Sequence, residues 1–109
     1  MCRLPVRVMV VDDHPLARSG LQSFLLGYED MELVGEAKNG LEAVEFCQNH
    51  EVDVVLMDMA MPLMDGSEAT RRITGLGKPV KVVVLTSFHE KELVRGALEA
   101  GATSYLLKD

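Results

Sequence analysis

Val52-Asp53-Val54-Val55-Leu56-Met57-Asp58-Met59-Ala60-Met61-Pro62-Leu63-Met64-Asp65-Gly66 is the stretch whose reading decides the fold. Val54 to Met57 is a continuous apolar run, the pattern of a strand covered on both faces. Asp58 stands where that strand ends. Met61 to Gly66 reads as a loop, because Pro62 cannot donate to a sheet ladder and Gly66 supplies turn freedom. An acid at the carboxyl end of a buried strand occupies the place where open α/β sheets build their sites. Taken alone, Asp58 would more often be a loop or cap acid, so its neighbours along the chain must decide.

On both sides of this stretch, strand and helix patterns alternate. Val6 to Val11 is rich in β-branched residues and ends abruptly at Asp12-Asp13-His14-Pro15. Pro15 suits the first turn of a helix, and Leu16, Leu21, Phe24 and Leu25 form a helical stripe running to about Gly27. Met31 to Ala37 is a weaker, partly alternating strand, as at a sheet edge. Asn39 is placed to cap a helix that carries Leu41, Ala43, Val44 and Phe46. Beyond the central strand, Ser67 to Thr74 reads as a helix with Ala69 and Ile73 inward, closed by Gly75, Gly77 and Pro79. Val80 to Leu85 is a second very apolar strand ending in Thr86-Ser87-Phe88. Glu90 to Ala100 is helical, with Leu93, Val94, Ala97 and Leu98 on one side, and Gly101 stops it. Ser104 to Leu107 is the last strand, and Lys108 ends it. Five strands with four intervening helices predict right-handed crossovers and a parallel sheet in an α/β fold. The sequence ends where a fifth helix would cover the last strand, so residues 1–109 read as one domain clipped before that helix.

Composition bounds the function. The 109 residues are 48% hydrophobic and 26% charged, without tryptophan, so aliphatic side chains and seven Met must fill the core. A net charge of −6 argues against the domain itself gripping duplex DNA, which needs a basic face. No apolar run approaches the roughly 20 residues that cross a bilayer, and Met1 to Pro5 is too short for a signal peptide. Cys2 and Cys47 form neither a metal spacing nor a disulfide framework. The expected compartment is the cytoplasm, with no membrane contact.

The strand ends carry the chemistry. Strand one ends at Asp12 and Asp13, strand three at Asp58, strand four at Thr86 and strand five at Lys108. In a parallel sheet these termini share one edge. If strands one and three are neighbours, three carboxylates converge in a crevice at the switch point. A hard divalent cation resolves their repulsion, and carboxylates plus waters are how proteins usually hold Mg²⁺. Thr86 and Lys108 could then hold the oxygens of a phosphoryl group. A carboxylate, a cation, an ammonium and a hydroxyl are the parts that form an aspartyl phosphate. Each residue also has a plainer reading: Asp12-Asp13 as a helix cap, Thr86 as a turn hydroxyl, Lys108 as a solvated lysine. Their joint placement on successive strand ends favours the shared site.

Four segments together resemble a bacterial two-component response-regulator receiver (CheY-like) domain across nearly the whole chain. They are Val11-Asp12-Asp13-His14-Pro15, Met57 to Gly66, Leu85-Thr86-Ser87, and Ala100-Gly101-Ala102-Thr103-Ser104-Tyr105-Leu106-Leu107-Lys108. The His14-Pro15 and Tyr105-Leu106-Leu107-Lys108-Asp109 wording is most similar to NarL/FixJ-type regulators, which carry a LuxR-type helix-turn-helix output domain. The resemblance implies a three-layer flavodoxin-like fold with strand order 2-1-3-4-5, an order that the residue pattern does not itself supply. It implies that Asp58 accepts a phosphoryl group from a sensor histidine kinase. It implies Mg²⁺ bound directly by Asp13, Asp58 and the backbone carbonyl of Ala60, and through water by Asp12. Lys108 would pair with phosphoryl oxygens, Thr86 would swing toward them, and Tyr105 would turn inward behind it. Such a switch works by binding rather than turnover. Activation would bring homodimerisation through surfaces around the fourth helix and fifth strand, and DNA would be reached only through an output domain beyond this sequence.

Some features qualify the resemblance. Asp109 follows Lys108 where receivers often have proline, so a cis peptide there would cost about 3 rather than about 1 kcal/mol. Ala60 and Phe88 flank the route of a hydrolytic water and offer it no hydrogen bond, which predicts a long-lived phosphate. His14 reads as loop packing, His50 and His89 as surface residues, Cys47 as core, and Met57, Met59, Met61 and Met64 as packing around the loop. A haloacid-dehalogenase-type hydrolase would need a second acid in Asp58-Met59-Ala60, and on the first strand. A flavodoxin-like cofactor binder would need a Gly- or Ser/Thr-rich loop after strand one. A receiver that is never phosphorylated is disfavoured by the complete set Asp12, Asp13, Asp58, Thr86 and Lys108.

Overall fold

The computed structural model describes residues 5–58, 64, 66–86 and 91–107, the last set by backbone alone at 91–94 and 107. Strands β1 (Val6–Val11), β2 (Met31–Ala37), β3 (Val54–Asp58), β4 (Lys81–Thr86) and β5 (Ser104–Leu107) alternate with helices α1 (Pro15–Leu26), α2 (Gly40–Asn49), α3 (Gly66–Thr74) and α4 (Lys91–Glu99). The sheet is wholly parallel, in the order β2-β1-β3-β4-β5. Observed bounds lie within one residue of the expected ones at nearly every end; β3 extends to include Asp58 and β4 to include Thr86. Residues 1–4, 59–63, 65, 87–90, 108 and 109 lie outside the description, and with them the expectations placed on Cys2, Met59, Ala60, Met61, Ser87, Phe88, His89, Lys108 and Asp109, as do those on the side chains of Leu93 and Val94.

Alternation along β1 divides the core. Met9 and Val11 point to a large cluster with Val55, Met57, Val82 and Val84, into which α2, α3 and α4 send Ala43, Val44, Cys47, Ala69, Ile73 and Ala97. Val8 and Val10 point the other way, to a small cluster closed by Leu25 of α1 and flanked by Leu21, Leu33, Val54 and Leu56. Cys47 is fully buried, as its apolar helix face predicts, and burial pushes its thiol up to about 11.

Local signals behave as chemistry requires. The Asn39 side-chain oxygen accepts the amide hydrogen of Glu42 at 2.8 Å, capping α2. Gly101 ends α4 at φ +115°, a left-handed conformation open to glycine, with Thr74 filling the space where a Cβ would stand. Gly40 lets α2 come close to the segment after β3: a Cβ there would lie 2.9 Å from the carbonyl oxygen of Met64.

The apolar stripes need correction. Leu21 and Leu25 face the sheet, but Leu16 is 88% and Phe24 62% exposed. Leu16 and Leu25 are nine residues apart, about two and a half turns, and so lie on opposite sides of α1. Leu98 is likewise exposed, because it lies a third of a turn from the buried Ala97. On β5, Tyr105 and Leu106 are 46% and 55% exposed. A groove of about 460 Å³ runs beside it, lined by Asp12, Ala17, Gly20, Leu21, Phe24, Leu85 and Leu106. Among the described residues no helix is long and apolar enough to cross a membrane.

Candidate functional site

Register brings the acids together. Val11 is paired with Met57 across β1 and β3, so Asp12 and Asp58, the next residue of each strand, emerge side by side at the carboxyl edge. The ladder continues one residue past β1, with the Asp12 amide donating to the Ala37 carbonyl at 3.0 Å. Asp12 is fully buried and Asp58 2% exposed, an unusual position for carboxylates. Asp13 turns in from the following residue. Ligand atoms of Asp12, Asp13, His14 and Asp58 all lie within 4.8 Å of one another. Before any cation is counted, each pair of negative charges at that spacing costs about 3 kcal/mol at an effective dielectric of about 20.

His14 belongs to this cluster, and its expected place as loop packing is corrected. Its backbone amide donates to Asp12 Oδ1 at 2.9 Å, and its Nδ1 lies 3.0 Å from Oδ1 of both Asp12 and Asp13. It is also the N-cap residue of α1 and makes no side-chain cap hydrogen bond. Neither acid is thus itself the N-cap residue of α1. Asp12 turns back to the His14 amide, and its carboxylate stays in the crevice. The only trace in the sequence was the adjacency of His14 to two acids.

The donor set suits a hard divalent cation. Three carboxylates dominate it, and Asp13 Oδ1 is buried yet accepts no hydrogen bond from the described residues, although His14 Nδ1 is close. Oxygen-rich ligands at this spacing match Mg²⁺ rather than a soft metal. His50 and Cys47 lie apart from the cluster: His50 is exposed beyond α2, stacked on Phe46 at 4.0 Å between ring centroids.

Thr86 closes β4 on the next strand over. Asp58 is paired with Leu85, which sets Thr86 one residue further along the same edge, and it is 1% exposed. Tyr105 is in register with Val84 and thus shares the sheet face of Thr86, two residues back from the edge. Its ring is half exposed here. The structure thus brings Asp12, Asp13, Asp58 and Thr86 to one edge with Tyr105 behind them, whereas Ala60 and Lys108 lie outside the described residues.

Residues 8–109 match the family described as "Response regulator receiver domain". The chain is 46% identical over 103 residues to the transcriptional regulatory protein LiaR of Bacillus subtilis, covering 94% of this chain and 49% of that one. It is similar to the receiver domain of the putative response regulator NarL from Mycobacterium tuberculosis, with TM-score 0.92, 38% identity, and 98% and 86% of the two chains covered. It is also similar to a chain in the CheX-CheY-BeF3-Mg+2 complex from Borrelia burgdorferi, with TM-score 0.87, 29% identity, and 97% and 80% covered. The chain spans about half the length of the curated relatives it matches.

Proposed function

The chain belongs to the response-regulator receiver family, and from that premise we propose that Asp58 is the phosphoacceptor of a two-component switch. The observation that carries the reading is the convergence of buried Asp12 and Asp58 with Asp13 at the carboxyl edge, beside buried Thr86. Asp12, Asp13 and Asp58, with the Ala60 carbonyl, would hold Mg²⁺, an ion present in the Borrelia complex that contains a similar chain. When bound, Mg²⁺ supplies positive charge against which carboxylate and phosphoryl oxygens can approach each other.

In the transfer, an Asp58 carboxylate oxygen attacks the phosphorus of a phosphohistidine on a sensor kinase. The P–N bond breaks, its electron pair returns to the imidazole, and an acyl phosphate forms on Asp58. Burial of Asp58 at the end of a rigid strand fixes its direction of attack and limits water around the product. Thr86 donates its hydroxyl to the new phosphoryl group and Lys108 its ammonium. Movement of Thr86 frees space on the shared sheet face, and Tyr105 turns inward to fill it. The changed surface around α4 and β5 favours a homodimer. A helix-turn-helix output domain carries that state to DNA, a reading supported by the name of LiaR as a transcriptional regulatory protein. The protein acts in the cytoplasm. Ala60 and Phe88, offering no hydrogen bond to a hydrolytic water, give the phosphate a long lifetime, an idea that a half-life of seconds would sink.

The direct test is incubation with acetyl phosphate and Mg²⁺ followed by intact mass measurement. One phosphoryl mass should be gained, dependent on Mg²⁺ and absent in Asp58→Ala. A folded, Mg²⁺-binding protein that gains nothing would overturn the phosphoacceptor role.

A further inference from the structure

We infer that Arg18 is a positioning residue for the cation site, an inference that rests on reading Asp12, Asp13 and Asp58 as its ligands. Arg18 lies near the start of α1, where the helix dipole disfavours a cation. A side chain serving only the helix would be acidic there. Its guanidinium instead reaches back: Nη1 donates to the backbone carbonyl of Asp12 at 2.9 Å, and Nε lies 3.4 Å from Glu36 Oε1 on β2. The side chain is 22% exposed, largely withdrawn from water.

The carbonyl it holds belongs to the peptide that joins the two acids. That peptide is planar, so fixing the Asp12 oxygen fixes the Asp13 amide and the direction in which Asp13 leaves the backbone. The same residue is tied on its other side, where the Asp12 amide donates to Ala37 next to Glu36. The His14 amide holds the Asp12 carboxylate itself. Arg18 thus completes a clamp on the turn carrying Asp12 and Asp13, through the backbone carbonyl of Asp12. Three acids crowded together tend to push that turn open, and the clamp holds it in shape before the ion arrives. Groups that orient ligands from behind commonly govern metal affinity.

The test is a Mg²⁺ titration followed by the amide resonances of residues 12–14, because the chain has no tryptophan to report binding. Arg18→Ala should raise the Mg²⁺ dissociation constant about tenfold. The phosphorylation rate from acetyl phosphate at saturating Mg²⁺ should fall by less than about threefold, since the ligands themselves remain. Arg18→Lys, which keeps the charge but loses the fork, should fall between wild type and Arg18→Ala. Glu36→Gln breaks the tie to β2 while leaving the Asp12 contact, and should weaken Mg²⁺ binding by less than about threefold. A native dissociation constant in folded Arg18→Ala overturns the inference. So does an equal loss in Glu36→Gln, which would make Arg18 only a strap between α1 and β2. If Arg18→Ala does not fold, a native dissociation constant in Arg18→Lys overturns it. A wild-type protein that does not bind Mg²⁺ overturns the site reading itself, a separate failure from that of Arg18.

Discussion

Among the described residues, the two faces of the sheet are covered differently. Three helices cover one, and its cluster runs unbroken from Ala37 and Val44 at one side through Met57 and Ile73 to Ala97. On the other, among the described residues, α1 alone lies over β1 and β2, and the buried core there is Val8, Val10 and Leu25. Phe24 and Leu106 stay half open to water there. Both faces are apolar in sequence, so hydrophobicity alone does not make a core. A second surface must arrive to exclude water, and among the described residues the three-helix face has the fuller one, although Tyr105 at its β5 end stays half exposed. The acidic crevice lies at the seam: Asp12 borders the open groove on the one-helix side, while Met57 beneath the site belongs to the other core.

This contrast can be broken most severely at Ile73. It is fully buried among three helices, and Ile73→Ala should cost about 3 kcal/mol in urea denaturation. A loss under about 1 kcal/mol would mean that the three-helix face is looser than its packing implies. Next comes Asn39→Ala, which removes the oxygen that accepts the Glu42 amide. About 1 kcal/mol should be lost, with earlier hydrogen exchange at the start of α2.

A smaller effect is expected at the amino edge, where the faces give out. Arg7 donates to the Asp53 carboxylate from its backbone at 2.8 Å and from Nε at 3.1 Å, which holds the Asp53 carboxyl below the usual carboxylate range. A depressed folded pKa stabilises above the unfolded value, and that stabilisation is lost as pH falls through the folded one. Because both side chains are about two-fifths exposed, Asp53→Asn should lower the melting midpoint by only about 3 °C at pH 7. The difference from wild type should shrink below about pH 4. A gap that persists unchanged in acid would assign the loss to something other than this charge.

The smallest change in stability should come from Phe24→Gln on the open face, within about 0.5 kcal/mol. Its visible effect should be weaker self-association in sedimentation, because an exposed apolar patch is reduced. A large loss of stability would show that Phe24 is core after all, and that the two faces differ less than they look.

Much of this was legible in residue order. Asn39 capping α2, Gly101 halting α4 in the left-handed region, and the burial of Ala69 and Ile73 follow from local chemistry and helical period. Convergence of Asp12, Asp13 and Asp58 was legible too, since parallel strands put all their carboxyl ends on one edge. Less legible were side chains whose partners lie far along the chain or round the helix. Lys78 caps the end of α2 by donating to the carbonyls of Cys47 and Gln48 at 2.9 and 3.2 Å, some thirty residues away. His14 and Arg18 serve the acidic turn through contacts that no spacing rule announces.

By itself, then, the sequence determined the elements, their alternation and the acids at the strand ends, because period, capping and turn chemistry act over a few residues. Tertiary structure decided which apolar residues of α1 and α4 are covered. It also decided that Asp12 and Asp58 stand in adjacent register, and that a guanidinium from α1 holds the peptide between two acids. Those outcomes depend on which surfaces meet across the sheet, and pairing over long separations leaves no local mark in the chain.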